Sequence, residues 1–81
     1  MSWERKTNYQ GVEYGPYYAV DKKGTIFGSV QQCVGDKAHL WHTWVLPRGN
    51  IEPKQSAYAG SKERAMYFVE CWAKHHFKWT L

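Results

Sequence analysis

The side chains that could hold a metal or carry a nucleophile are Cys33, His39, His42, Cys71, His75 and His76. Cys71 and His75 are four residues apart, which places them side by side on a helix. Cys33, His39 and His42 follow a C-x₅-H-x₂-H spacing. A zinc ion bridging the two groups would echo a ββα finger, but the C-x₂₋₄-C partner of such fingers is missing. Cys71 and His75 as nucleophile and base would have no group to stabilise an oxyanion on an open helix face. The glycines of "GSV" after Phe27 and of "RGN" at 48–50 read as strand and turn glycines, not as a phosphate-cradling loop. The sequence therefore predicts a chain that is not an enzyme and takes no metal and no cofactor.

What remains is ring surface and charge. Trp, Tyr and Phe make up 17% of the 81 residues, and eleven Lys and Arg against seven Asp and Glu give a formal net charge of +4. Eighty-one residues make a single domain, 1–81, with a modest core, so each large ring counts. The basic balance favours an anionic partner, nucleic acid or a nucleoprotein complex. No apolar run is long enough to span a bilayer and no leader pattern opens the chain, so no membrane partner and a cytoplasmic location are expected. Cys33 and Cys71 are then expected as free thiols.

The elements that must position these groups follow from pattern. Residues 1–15 lack a sustained period and read as an irregular arm, with Trp3, Tyr9 and Tyr14 able to pin it. Residues 16–60 read as a β-meander. "YYAV" is rich in aromatic and β-branched residues, "DKKG" at 21–24 is a turn, and 25–34 and 38–46 are further strands around a "GDK" turn. "PRGNIEPKQ" is loop, and "SAYAG" suggests a short fourth strand. Ser61 is a good N-cap, and Ala65, Phe68, Val69, Trp72 and His76 form one stripe of a helix spanning 61–77. His76 is expected on that buried stripe, close to the terminal carbonyls. The fold class is α+β: an antiparallel three- or four-stranded β-meander with one C-terminal helix packed on one face (ββββα or βββα).

One helix covers one sheet face, so a second face is left over. Alternation separates Tyr18, Val20, Ile26, Gly28, Val30, Leu40, Trp44 and Leu46 from Tyr17, Ala19, Phe27, Ser29, Trp41, Thr43 and Val45. The first set is the more aliphatic and is assigned to the helix. The second carries rings separated by small residues, with Lys22, Lys23, Lys37 and Arg48 at the strand ends. Rings on an open sheet with a basic rim suit stacked, unpaired bases. The expected binding residues are therefore Tyr17, Lys22, Lys23, Phe27, Lys37, Trp41 and Arg48. The alternatives are that the arm folds over this face, or that a second copy covers it in a homodimer.

"TIFGSV", "LWHTWVLP" and "AYAGSKERAMYFVECWA", within residues 25–73, resemble small phage and prophage accessory proteins. The layout is also similar to sheet-plus-helix DNA-binding domains such as those of phage integrase arms. Their groove-reading arginines are replaced here by rings. The resemblance implies a phage-type accessory binding module acting on nucleic acid or a host nucleoprotein complex. A second implication is an inhibitor of a host defence complex, such as a CRISPR effector, acting by steric blockage. A homodimeric assembly factor is a third.

Overall fold

The computed structural model describes residues 1–47 and 55–81. Its strands β1 (Ser2–Thr7), β2 (Glu13–Val20), β3 (Ile26–Gln32), β4 (Trp41–Val45) and β5 (Gln55–Ala59) form one antiparallel sheet in the order β1-β2-β3-β4-β5. The helix α1 (Lys62–His75) packs on β3, β4 and β5. The α+β meander with one C-terminal helix is thus the observed architecture, with five strands in place of three or four.

The additional strand lies in the segment expected to be an irregular arm. Ser2–Thr7 pairs along β2 and forms the sheet edge. Its alternation, exposed at Ser2 and Glu4 and half-buried at Trp3 and Arg5, is short, and charged residues blunt its aromatic signal. The arm therefore extends the sheet instead of folding over it. Tyr9 and Tyr14, its other rings, are exposed.

Between β2 and β3 the Asp21 carboxylate accepts the backbone N–H groups of Lys23 (2.9 Å) and Thr25 (2.8 Å), and Gly24 takes a left-handed φ of 86°. This is the "DKKG" turn, closed by its own aspartate. Past β3, residues 35–37 form a 3-10 turn, so the next strand starts at Trp41, later than the expected 38.

Ser61 caps α1 by accepting the Arg64 N–H at 3.2 Å. The helix ends at His75, two residues short of the expected 77. Lys78, with φ 59°, turns the chain back so that the Trp79 N–H reaches the Ala73 carbonyl at 2.9 Å. Trp79 then lies 5.4 Å from the Phe27 ring and donates its indole N–H to Leu46 O.

The core is small and smooth. Ala19, Phe27, Val30 and Val45 from the sheet meet Ala65, Val69 and Ala73 from the helix. A Cβ on Gly28 would lie 2.5 Å from Val69 Cγ1 and 3.1 Å from the Trp44 carbonyl, so α1 sits directly over a glycine. His76 is exposed rather than part of the buried stripe, and stacks on Trp72 at 4.2 Å. Ala73 occupies the buried position instead, because 65, 69 and 73 keep the four-residue spacing.

Candidate nucleic-acid interface

Register decides which residues share a face. Tyr17 pairs with Val30 and Val30 with Thr43, while Ala19 pairs with Gly28 and Gly28 with Val45. These residues, with Trp41 and Gln32, lie on the helix side. The other side carries Tyr18, Ser29, Trp44 and Ser56 in one cross-strand row, and Gln31, His42 and Tyr58 in the next.

The expected assignment of faces is therefore reversed on β2 and β4. Tyr17 and Trp41 are half-buried against the core on the helix side, and Tyr18 and Trp44 face away from the helix. Phe27 is fully buried and is not a surface residue. Two physical causes combine. The helix comes so close that it needs the face with Ala19, Gly28, Thr43 and Val45, whose small volumes matter more than aliphatic character. In addition, β3 bulges opposite the Ala19–Val20 step: Ala19 pairs with Gly28 and Val20 with Ile26. Phe27 is the extra residue, and the bulge turns it into the core.

The basic residues divide. Lys22 and Lys23 lie in the β2–β3 turn, and Lys37 lies in the 3-10 turn at the opposite end of the strands. All three are exposed. Arg48 lies outside the described residues.

No helix or strand among the described residues packs on the face turned away from α1. Its exposed corner holds Tyr58, 59% exposed, whose ring centroid is 5.1 Å from that of His42. His42 Nε2 and Ser56 Oγ share a hydrogen bond of 2.6 Å, which fixes the imidazole plane. Gln31, Gln32, Val34, Lys37, His42 and Tyr58 line a shallow hollow there. The Gln32 amide donates to Ala38 O, and the exposed Gln31 amide is the group that could read a base edge. At the other end, Glu4, Lys6, Tyr18, Val20 and Ile26 line a second hollow. Ser29 is 3% exposed on this face, between its register partners Tyr18 and Trp44.

This arrangement can stack planar groups and hydrogen-bond them, with a lysine at either end for phosphate. The signal for Tyr58 was present in "QSAYA", where one ring alternates with small residues. Tyr18 and Trp44 could be found only by knowing the face that the helix selects.

The groups with nucleophilic or ligating chemistry stay apart. Among the described residues no three or more His, Cys, Asp or Glu side chains converge on a metal-sized site. Cys33 and Cys71 are both free and half-buried, on different elements. The Tyr67 phenol is raised above the ordinary tyrosine value by its hydrogen bond to Cys71, then by the electrostatic influence of Cys71 and by desolvation. Among the described residues no helix is long and apolar enough to cross a membrane. No family model, curated protein or solved structure matches this chain.

Proposed function

We propose that the protein is a non-enzymatic, phage-type accessory module that binds single-stranded nucleic acid, free or within a nucleoprotein complex. The observation that carries this reading is the sheet face turned away from α1, where rings stand on β2, β4 and β5 without a covering helix or strand among the described residues. Tyr18, His42 and Tyr58 supply stacking surface, and Gln31 supplies an amide for a base edge. Lys22, Lys23 and Lys37 put positive charge at the ends of that face, in a chain of net charge +4.

A second reading is supported by Val20 and Ile26, an apolar corner of the same face with Ile26 43% exposed. Such a corner suits a protein partner, as in an inhibitor that blocks a host defence complex.

Titration of a fluorescent oligothymidylate at several salt concentrations separates the two. Nucleic-acid binding is expected to weaken log-linearly with salt, with a slope near −0.7 per neutralised phosphate on a single strand. Absence of binding at low salt rules out the first reading and leaves the protein-contact reading to be pursued.

A further inference from the structure

On the helix side of the sheet, away from the rings just described, two cations share one aromatic ring. Arg5 Cζ lies 4.6 Å from the Tyr17 centroid and Lys62 Nζ lies 5.1 Å from it. Arg5 stands on β1, Tyr17 on β2, and Lys62 is the first residue of α1. The helix packs on β3 to β5, so Lys62 reaches out from its margin toward the edge pair β1–β2.

The chemistry of the spot is one-sided. Arg5 Nε donates to Gly15 O at 2.8 Å and Nη1 donates to the Tyr17 hydroxyl at 3.3 Å. The first bond ties the guanidinium to the β-bulge at Gly15, whose φ is 80°. The side chain is thereby held in place, and its other N–H bonds have no partner among the described residues. The Tyr17 hydroxyl accepts from Arg5 and keeps its own proton to donate. Lys62 has neither a hydrogen bond nor an ion pair among the described residues. Two positive charges therefore lie over one ring with no carboxylate in ion-pair contact among the described residues, and the groups available to a ligand are all donors. An anion with several acceptor oxygens satisfies such a set, and a phosphate group matches the guanidinium fork.

We infer that Arg5, Tyr17 and Lys62 form a phosphate-binding site on the helix side of the sheet, distinct from the open face. Its ligand is a phosphate group, borne either by a nucleic-acid strand or by a free phosphorylated small molecule. Arg5 supplies the fixed fork, Tyr17 a hydroxyl donor and Lys62 a mobile charge.

Amide NMR of the full chain, titrated with ribose 5-phosphate, tests the site. Saturable shifts are expected at Gly15, Tyr17 and Lys62. Lys62→Gln and Tyr17→Phe should each weaken binding about fivefold or more, and the Arg5→Gln, Lys62→Gln double variant should abolish it. Lys74→Gln, on the exposed outer face of α1, is the charge control and should leave it unchanged. Shifts that do not saturate, that survive the double variant, or that fall equally with Lys74→Gln would overturn the site. Competition then identifies the source. An oligothymidylate that displaces ribose 5-phosphate from Lys62 assigns the site to nucleic acid, and one that does not assigns it to small phosphorylated molecules. The outcome is separable from the open-face reading. Oligonucleotide binding without saturable ribose 5-phosphate binding sinks this site alone, whereas phosphate binding without oligonucleotide binding sinks only the open-face function.

Discussion

The two faces of this sheet use the same strands and solve different problems. The face under α1 is built from small groups, Ala19, Gly28, Thr43 and Val45 against Ala65, Val69 and Ala73, with Phe27 as the large ring at its end. The face turned away from α1 carries Tyr18, His42, Trp44 and Tyr58, with Ser29, Gln31 and Ser56 among them. The open side, which has no covering helix or strand among the described residues, keeps Tyr18, Trp44 and Tyr58, while Trp3, Tyr17, Phe27 and Trp41 pack in or against the core under α1. Burial followed volume rather than hydrophobicity, because a helix lying directly over Gly28 leaves no room for an indole beneath it. Directly beneath the helix small residues mark the core, and the one strand ring that is fully buried among the described residues, Phe27, gets there through the β3 bulge.

The sharpest way to break that comparison is to empty the core. Phe27→Ala removes the largest fully buried side chain among the described residues and takes away the ring beside Trp79. It should cost about 3 to 5 kcal/mol, a large part of what a domain of this size has, and denaturant unfolding would read it. A variant with an unchanged midpoint would mean that Phe27 is a surface residue after all. Overfilling is the converse test. Gly28→Ala places a methyl against the stiff Val69 side chain and a backbone carbonyl, and should destabilise by about 1 to 3 kcal/mol. Equal stability would show that α1 does not sit this close.

The elements that were legible in the sequence are those fixed by local chemistry. "DKKG" carries its turn in the Asp21 carboxylate, and Ser61 with the periodic residues after it announces α1. The meander order also follows from short connections. The face assignment was not legible, because strand alternation gives two sets without saying which set the helix takes. The β3 bulge then moved Phe27 between the sets, and a bulge leaves little trace in composition. β1 was obscured for a related reason: as an edge strand beginning at Ser2, it is half charged and paired on one side only. Of the expected binding residues, Lys22, Lys23 and Lys37 are exposed, while Tyr17 and Trp41 moved to the helix side, where Tyr17 meets Arg5 and Lys62. That grouping joins residues far apart in sequence and could not be read from spacing.

Smaller effects refine the helix-covered side. Ser61→Ala removes the side-chain acceptor of the Arg64 N–H and should cost about 1 kcal/mol in thermal unfolding. Lys78→Gly relieves a left-handed backbone at a residue with a Cβ, and should raise stability by up to about 1 kcal/mol. A loss of stability on that change would mean that the Lys78 side chain contributes packing that outweighs the strain.

The smallest expected change in stability is on the open face, and it is the most informative about function. Tyr58 is 59% exposed on β5, with the tilted His42 ring beside it. Tyr58→Ala should therefore shift stability by less than about 0.5 kcal/mol, as surface substitutions do. If Tyr58 stacks on a base, the same substitution should weaken oligothymidylate binding by about 1 to 3 kcal/mol. The salt slope should stay the same, because no phosphate contact is lost. Lys37→Gln should do the reverse, flattening the slope by roughly the 0.7 expected for one phosphate contact on a single strand, with little effect on stacking. A Tyr58→Ala variant that binds as the parent does would remove stacking from this corner. A variant that unfolds would show the ring to be structural, and the contrast between the two faces would then fail at the residue where it is most exposed.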